Sequence, residues 1–341
     1  MHYLNNANKQ PPDSEVADTA AGLSHRFCVA PMMDWTDRHD RVFLRQLSKH
    51  ALLYTEMVTS AALKHGDAQY LLQHSEGEHP VALQLGGSKP VELAEAAALA
   101  ERSGYDEINL NVGCPSDRVQ SGAFGACLMA EPELVGKCVS SMMTSVSLPV
   151  TIKCRIGIDD RDSQRELEDF IGTVADAGCD TFIVHARKAI LSGLSPKENR
   201  EIPPLKYDSV FAVKQAFPEL SIIINGGIKT LEDAESLLKK TDGVMLGREA
   251  YQNPFILNEV DAVFFGTATN VQTRTETLQK FMPYIEQELE RGTPLHHMTR
   301  HILGLYKGQK GGKNFRRHLS ENSYKKTADI GVLLDAISYV D

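Results

Sequence analysis

The chain has 341 residues, of which 42% are apolar and 24% are charged, as is typical of globular proteins. This length exceeds the needs of one small core and suits a barrel of about 250 residues followed by a smaller domain. No apolar run approaches the ~20 residues that span a bilayer, so we expect no membrane contact. A net charge of −9 argues against indiscriminate binding of nucleic acids but permits a local basic face.

The N-terminal segment and the cysteines indicate where the protein acts. Residues 1–24 are polar, contain Pro11-Pro12 and lack the apolar run of a signal peptide, which predicts a disordered leader rather than export. The six cysteines form no CxxC pair, so we expect reduced thiols and neither disulfides nor a bound metal. These features favour a cytoplasmic protein, which we expect to be a monomer.

Eight short apolar runs recur along the chain, with amphipathic stretches between them. Most are continuous rather than alternating, as expected of parallel strands that are covered on both faces. The predicted strands are Phe27–Ala30, Leu52–Thr55, Val81–Leu85, Glu107–Leu110, Val150–Lys153, Thr181–Val184, Ser221–Ile224 and Gly243–Leu246. Helices are predicted between them, for example over Pro90–Ser103 and Leu231–Lys239. This alternation predicts an α/β fold, a (β/α)8 TIM barrel over residues 25–260, with an open doubly wound sheet as the alternative.

The strand pattern stops at about residue 256, and the rest of the chain is predicted to be helical. The predicted helices are Thr275–Arg291, Leu295–Gln309, Asn314–Ser320 and Ala328–Val340. We therefore expect a small C-terminal helical domain over residues 261–341, with a linker around Asp261–Val271.

Glycine-rich turns follow the last two predicted strands. Asn225, Gly226 and Gly227 come after strand seven, and Gly247 and Arg248 come after strand eight. In TIM barrels the active site lies at the carboxyl ends of the strands, and loops seven and eight commonly bind a phosphate. Glycines let backbone N–H groups approach the anion, and an arginine adds charged hydrogen bonds. The two turns together predict a phosphate site, although each alone is also compatible with an ordinary turn.

Three polar side chains lie in or after otherwise apolar strands. Lys153 ends strand five, where a lysine serves as a Schiff-base nucleophile, a phosphate ligand or a partner for a reduced flavin. His185 follows strand six and either contacts a cofactor phosphate, assists proton movement or is structural. Gln84, in strand three, offers a carboxamide that suits the pyrimidine edge of a flavin, although a buried core glutamine is the alternative.

The segment at and after strand four carries the candidate catalytic residue. Cys114 lies between Gly113 and Pro115 in a polar loop, whereas Cys28 and Cys154 lie in or beside strands and are expected to be core residues. A thiol in that loop, when protonated, can act as an acid. The following stretch, Asp117–Leu128, contains two glycines and is predicted to be a mobile loop or lid.

The segment EINLNVGCPS (107–116) resembles the signature of the tRNA-dihydrouridine synthases. Further agreement lies in APM (30–32), LQLGG (83–87), IK (152–153), HAR (185–187), INGGI (224–228) and LGR (246–248). The A subfamily in particular is similar to DRHDRVFLR (37–45), YTEMVTSAAL (54–63) and HARKAILSGLSPKENREIPPL (185–205). The resemblance covers roughly residues 26 to 325.

The resemblance implies bound FMN, NADPH as reductant, and uridines 20 and 20a in the D loop of tRNA as substrate. It implies that hydride passes from flavin N5 to uracil C6 while Cys114 protonates C5, with Asn111 beside a uridine flipped out of the RNA stack. The cofactor contacts it implies are Pro31, Met32, Met33, Gln84, Lys153, His185, Asn225, Gly226, Gly227, Gly247 and Arg248.

Two basic segments suggest how an acidic protein holds RNA. Residues 300–326 contain eight lysines and arginines against one acid, Glu321, and a second basic set lies in the loop after strand six. Solvated charged faces are the alternative. The residues expected to contact the D arm of tRNA are Arg187, Lys197, Arg200, Arg316 and Arg317.

Two other functions are compatible with parts of this pattern. A flavoenzyme that acts on a free pyrimidine, as dihydroorotate dehydrogenases do, would keep the flavin and the cysteine but leave the basic tail without a purpose. A tRNA-binding protein with a merely structural barrel would keep the tail but bind no flavin.

Overall fold

A computed structural model of the chain describes residues 23–268 and 272–340. Eight parallel strands pair in sequential order, and the last pairs with the first, so the sheet closes into a barrel. This confirms the predicted TIM barrel and excludes the open sheet. The strands are β1 Phe27–Val29, β2 Leu52–Thr59, β3 Val81–Gly86, β4 Glu107–Val112, β5 Val150–Arg155, β6 Thr181–His185, β7 Ser221–Asn225 and β8 Gly243–Leu246.

Helices connect the strands and form the C-terminal region. They are α1 Arg38–Arg45, α2 Ser60–His65, α3 Ala68–Leu71, α4 Pro90–Arg102, α5 Asp117–Ser121, α6 Pro132–Ser145, α7 Gln164–Asp176, α8 Tyr207–Ala216, α9 Leu231–Leu238, α10 Arg248–Gln252, α11 Val260–Phe265, α12 Arg274–Glu290, α13 Leu295–Ile302, α14 Gly312–Asn322 and α15 Ile330–Ile337. Shorter 3₁₀ turns cover Glu76–Glu78, Gly125–Ala130, Glu198–Arg200 and Pro254–Glu259. Within the described ranges, every helix is too short or too polar to cross a membrane.

Side chains alternate between the two faces of each strand, which explains the continuous apolar runs. One face of each strand packs against the helices in a core that also includes the C-terminal region. The other face fills the barrel with a smaller apolar cluster that includes Tyr54, Ile183 and Met245. Leu23 packs against this cluster. Apart from residues 23 and 24, the predicted leader lies outside the described residues.

Several strands run further than the apolar pattern predicts. β4 includes Asn111, β5 continues two residues past Lys153, and β6 and β7 end with His185 and Asn225. The sequence placed His185 and Asn225 after their strands because apolar character stops there. The ladder continues because backbone pairing does not require apolar side chains once the neighbouring strand is in register.

Two connecting segments differ from expectation. Asp117–Leu128, predicted as a loop or lid, forms α5 and the start of a 3₁₀ turn, because Val119, Phe124 and Leu128 are buried against the barrel. The predicted linker Asp261–Val271 begins instead within α11, and Asp261 accepts hydrogen bonds from the backbone of Lys49 and His50 at 2.7 and 3.3 Å. Residues 269–271 lie outside the described ranges.

The C-terminal helices are joined to the barrel through α1. Arg38 donates two hydrogen bonds to the carboxylate of Glu288 on α12, at 2.9 and 2.6 Å, and a third to Tyr284. Phe43 and Phe281 pack with ring centroids 5.3 Å apart beside this pair. The predicted helix Leu295–Gln309 ends earlier, at Ile302. An ion pair between half-buried Arg38 and buried Glu288, together with shared aromatic packing, therefore holds the tail against the first helix of the barrel.

Replacing Glu288 with Gln should destabilise the fold by about 1–3 kcal/mol, because half-buried Arg38 loses charge-assisted hydrogen bonds to a buried carboxylate. The hydrogen bonds from Arg38 lower the pKa of Glu288 from 4.5 to about 2. A carboxyl group whose pKa is lower in the folded than in the unfolded state stabilises the fold fully at pH values above its unfolded-state pKa. For Glu288 this contribution is lost as the pH falls from 4.5 towards 2. Urea unfolding at pH 7 and pH 3 should therefore show a larger difference between wild type and variant at pH 7.

The control for this measurement is Glu286→Gln, which removes an exposed carboxylate from the same helix. It should change the free energy of unfolding by less than about 0.5 kcal/mol. A Glu288→Gln difference that is the same at both pH values would contradict the account of the ion pair.

Candidate active site

The register of the barrel places the predicted polar residues side by side at the carboxyl ends of the strands. Asn111 on β4 pairs with Lys153 on β5, and His185 on β6 pairs with Asn225 on β7. Asn225 in turn pairs with Met245 on β8, next to the turn that contains Gly247. Residues that are far apart in sequence therefore form one continuous polar surface at the mouth of the barrel.

Lys153 and His185 face this surface in electrically different states. The Lys153 ammonium donates to Asn225 Oδ1 at 3.1 Å, and Asn225 Nδ2 donates to the carbonyl oxygen of Met245 at 2.7 Å. Burial and the nearby Arg155 lower the pKa of Lys153 to about 8. Burial and the same arginine lower the pKa of His185 well below its ordinary value, so its ring is neutral at neutral pH. Of these two side chains, Lys153 is therefore the one that carries a proton and a positive charge at neutral pH.

The glycine turns after β7 and β8 lie against the same side chains. Gly226 and Gly227 have φ values of 117° and 70°, which glycine adopts without strain. A Cβ on Gly226 would stand 2.6 Å from the His185 ring, so only glycine lets the turn lie against that ring. A Cβ on Gly247 would lie 3.9 Å from Met32 Sδ, which brings the loop after β1 to the same place.

The loop after β1 completes this side of the mouth. Met32 is half-buried, its backbone N–H donates to Thr36 Oγ1 at 3.0 Å, and its carbonyl accepts from the Thr36 N–H at 3.0 Å. Pro31 is half-buried, and Met33 is 52% exposed. These bonds form a tight turn that leaves Met33 open to solvent.

Three arginines gather beside the glycine turns. Arg248 forms an ion pair with Glu201 at 2.7 Å and also donates to the carbonyl of Arg200 at 3.4 Å. Arg187 donates to the carbonyls of Glu201 and Pro203. Burial and the charge of Arg248 lower the pKa values of Arg187 and Arg200. An anion next to these cations would relieve their mutual repulsion.

Cys114 lies in the loop after β4, which is four strands from β8 and three from β7 around the closed barrel. Its side chain is half-buried, and its thiol lies 3.5 Å from Ser116 Oγ. Asn111 Oδ1 accepts hydrogen bonds from the backbone N–H groups of Gly113 and Cys114, at 3.1 and 2.9 Å. Cys28 and Cys154 are fully buried, as predicted from their positions in strands. Cys114 is therefore held by its backbone while its sulfur remains partly accessible.

Gln84 is more deeply placed than a freely accessible cofactor ligand would be. Its side chain is 1% exposed, with Nε2 donating to Asn109 Oδ1 at 2.8 Å and Oε1 accepting from Asn111 at 2.9 Å. One N–H and one lone pair of the carboxamide remain without a described partner. Gln84 is therefore a buried, hydrogen-bonded core residue, and its contact with a flavin stays a prediction.

The sequence interpretation missed Arg155, which ties two loops of the mouth together. Its guanidinium donates to the carbonyl of Gly113 at 2.8 Å and to the carbonyls of Lys188 and Asn199 at 3.1 and 3.2 Å. The side chain is almost fully buried. A signal was present, because Arg155 follows Lys153 by two residues and therefore lies on the same face of the strand.

Four of the five predicted RNA-binding residues are exposed, whereas Arg187 is half-buried. Lys197, Arg200, Arg316 and Arg317 are exposed, and Arg316 and Arg317 make no hydrogen bond or ion pair with the described residues. Other cations of the two basic segments are already engaged within the protein. These are Lys188, which donates to the carbonyl of Asp159, Arg300, which pairs with Asp37, and Lys307, which pairs with Glu249. The basic surface is therefore smaller than the residue count suggested.

The family model described as dihydrouridine synthase (Dus) matches residues 28–339. The chain belongs to the dihydrouridine synthase family. Relatives named tRNA-dihydrouridine(20/20a) synthase include one from Pseudomonas putida, 59% identical over 314 residues, which covers 92% of this chain and 94% of the relative. Another, from Vibrio cholerae, is 58% identical and covers 93% of this chain and 97% of the relative. A third, from Escherichia coli K12, is 57% identical and covers 100% and 97%.

A solved structure of a 2-naphthoyl-CoA reductase complex shares the fold of this dihydrouridine synthase. The TM-score is 0.53 at 10% sequence identity, and the match covers 69% of this chain and 49% of the other. At that identity the likeness concerns the barrel architecture alone. Among the described residues, no three histidine, cysteine or acidic side chains are grouped as a metal site would require.

Replacing Arg155 with Met should loosen both loops, because the carbonyls of Gly113, Lys188 and Asn199 lose their shared donor. We expect backbone amides in segments 113–120 and 186–200 to exchange with deuterium roughly tenfold faster, as measured by mass spectrometry. Arg161→Met is the control, since it removes an arginine from a surface ion pair in the loop after the same strand. Unchanged exchange in both segments would show that the guanidinium does not couple the loops.

Proposed function

We propose that this enzyme reduces the C5–C6 bond of uridines 20 and 20a in the D loop of tRNA, using FMN that NADPH has reduced. The supporting relatives are named for dihydrouridine at positions 20 and 20a, and they match nearly the whole chain. The observation that carries the proposal is the position of Cys114 across the barrel mouth from the Gly226 turn. In this arrangement the thiol would approach a uracil from the side opposite to a flavin whose phosphate is bound at the glycine turn.

The residues of the mouth fit a flavin mononucleotide. The positive-φ turn at Gly226 and Gly227, with Arg248 and Arg187 beside it, suits the phosphate. Lys153 supplies a positive charge within the barrel mouth, where it would stabilise a negatively charged reduced flavin. The proposed contacts are Pro31, Met32, Met33, Gln84, Lys153, His185, Asn225, Gly226, Gly227, Gly247 and Arg248. When bound, the flavin supplies the hydride that the uracil accepts at C6.

Cys114 is the proposed acid that protonates C5. Its thiol holds the proton, and Asn111 and Arg155 hold its loop through the backbone N–H groups and the Gly113 carbonyl. Burial and the nearby Arg155 lower the pKa of Lys153 to about 8, although the charge that Cys114 would carry as a thiolate opposes this effect. Asn111, which accepts from the Cys114 N–H, pairs in register with Lys153, so Lys153 lies on the strand next to the Cys114 loop.

The exposed cations are the proposed contacts for the tRNA backbone. Lys197 precedes, and Arg200 ends, the 3₁₀ turn that Arg155 ties to the Cys114 loop, and Arg316 and Arg317 lie on α14. Phosphate contacts of this kind position an RNA without reading its sequence. We also propose Arg187 as a contact, although its guanidinium is partly engaged by the backbone of the same loop. The cytoplasm is the proposed location and the monomer the proposed state.

The decisive comparison of substrates uses reduced enzyme with unmodified tRNA and, separately, with free uridine. We expect turnover of the tRNA alone, because a free nucleoside engages none of the distant cations. Comparable turnover of both would favour an enzyme of free pyrimidines. Purified protein without the visible absorbance of a flavin would instead favour a protein that only binds tRNA.

Replacing Cys114 with Ala should lower dihydrouridine formation by roughly a hundredfold or more, the usual cost of removing a positioned acid. Binding of flavin and tRNA should persist, because the backbone of the loop is held by Asn111 and Arg155. Mass spectrometry of the tRNA nucleosides measures the product. Cys127→Ala, which changes the other half-buried cysteine, should retain activity, and full product yield from Cys114→Ala would remove the acid role.

Reversing the charge of Arg316 and Arg317 to Glu should weaken tRNA binding and reduce the slope of log affinity against log salt by up to about two. Reduction of the flavin by NADPH should be unaffected. The matched control reverses Lys239 and Lys240, adjacent cations after α9 at the opposite end of the barrel. A salt slope identical to that of wild type would place α14 outside the interface.

A further inference from the structure

A chain of buried polar side chains runs through the interior of the barrel and ends at the loop of Cys114. We call it the interior chain; its members are Glu107, Thr151, Asn109, Gln84 and Asn111. All five are buried on β3, β4 and β5, and the strand register places them beside one another. Glu107 begins β4 and Asn111 is four residues later, so the interior chain extends over roughly 13 Å along β4.

The carboxylate of Glu107 fixes the lower end of the interior chain. It is fully buried and accepts hydrogen bonds from Tyr54 and Thr151 on the same oxygen, at 2.8 and 2.7 Å, while its other oxygen pairs with His25. Burial and the charge of Glu107 raise the pKa of the Tyr54 hydroxyl, which therefore stays protonated and donates. A carboxylate oxygen only accepts hydrogen bonds, so the single hydroxyl proton of Thr151 must be donated to Glu107.

This demand sets the direction of every following hydrogen bond. Because the Thr151 oxygen is left as an acceptor, Asn109 must present Nδ2 to it, at 2.8 Å. The oxygen of Asn109 then accepts from Gln84 Nε2 at 2.8 Å, and the oxygen of Gln84 accepts from Asn111 Nδ2 at 2.9 Å. The oxygen of Asn111 is thereby turned towards the loop.

The upper end requires the same direction. The backbone N–H groups of Gly113 and Cys114 only donate, and both donate to Asn111 Oδ1. If one amide of the interior chain reversed, two donors or two acceptors would face each other in a buried interior, which is unfavourable. The two fixed ends therefore permit a single arrangement of the three amides.

We propose that Glu107 and Thr151 are positioning residues that hold the Cys114 backbone in place through Asn109, Gln84 and Asn111. The proposal rests on the function assigned to Cys114 above. Neither residue touches substrate or cofactor, because both lie below the mouth. What the interior chain needs from Glu107 is an acceptor oxygen facing Thr151, and its negative charge is not required.

The test compares variants that break the interior chain with variants that keep it intact. Thr151→Val removes the hydroxyl donor and Glu107→Met removes the acceptor oxygen, each at similar side-chain size. Thr151→Ser keeps the donor. Glu107→Gln keeps the acceptor oxygen, and its new amide N–H can donate to neutral His25. Thr181→Val is the matched control, since it removes another buried strand hydroxyl, one that donates to Asp180 and lies outside the interior chain.

The first readout is alkylation of the cysteines by iodoacetamide in flavin-loaded protein, resolved by mass spectrometry. In Thr151→Val and Glu107→Met we expect Cys114 to react at least roughly threefold faster as its loop is released. The half-buried Cys127 should react at the wild-type rate and serves as an internal control. Thr151→Ser, Glu107→Gln and Thr181→Val should match wild type at both cysteines.

The second readout is single-turnover reduction of tRNA by pre-reduced enzyme. The single-turnover rate should fall roughly ten- to a hundredfold in Thr151→Val and Glu107→Met, and should stay near the wild-type rate in Thr151→Ser and Glu107→Gln. If Glu107→Met does not fold, Thr151→Val alone decides the outcome. Unaltered Cys114 alkylation in a folded Thr151→Val protein would overturn the proposal, and so would equal effects of Thr151→Val and Thr181→Val.

The two readouts separate this proposal from the proposed function. Alkylation needs no tRNA, so it reports on the loop even if wild-type protein makes no dihydrouridine. Absent dihydrouridine with accelerated Cys114 alkylation in Thr151→Val would support the interior chain and reject the assigned reaction.

Discussion

Closure of the parallel ladder is the constraint on which the site depends. Because β8 pairs with β1, all eight carboxyl ends meet at one rim, and the register fixes which side chains are neighbours there. Asn111 is placed beside Lys153, and His185 beside Asn225, although the chain separates these partners by tens of residues. The glycine turn at Gly226 can then lie against the His185 ring. The site thus follows from strand pairing more than from any single motif.

A second constraint joins the mouth to the C-terminal helices. Half-buried Arg38 on α1 pairs with buried Glu288 next to the packed rings of Phe43 and Phe281, and Arg300 bonds to Asp37 at the start of α1. Cations that a residue count assigns to RNA binding are thereby used for cohesion. The exposed remainder on α14 is presented in a fixed relation to the barrel, as a large and shaped substrate requires.

Much of this arrangement could be predicted from the sequence, and the failures have physical causes. Apolar runs located all eight strands, but their polar last residues, such as His185, were missed because pairing continues where hydrophobicity stops. The stretch Asp117–Leu128 was predicted to be a loop because its glycines interrupt the helical pattern, although Val119 and Leu128 are buried in the structure. The interior chain and the clamp of Arg155 depend on contacts between different strands, which no local pattern records. The position of Cys114 in a partly accessible loop could be predicted, because that loop departs from the apolar pattern around it.

One chemical outcome, the reduction of particular uridines in tRNA, connects the proposed roles of the interior chain, Cys114 and the exposed cations. Mapping dihydrouridine along tRNA from cells that lack this chain tests that outcome most directly. The account predicts that dihydrouridine disappears at positions 20 and 20a, remains at other positions, and returns when the intact chain is expressed again. Dihydrouridine persisting at both positions in those cells would contradict it.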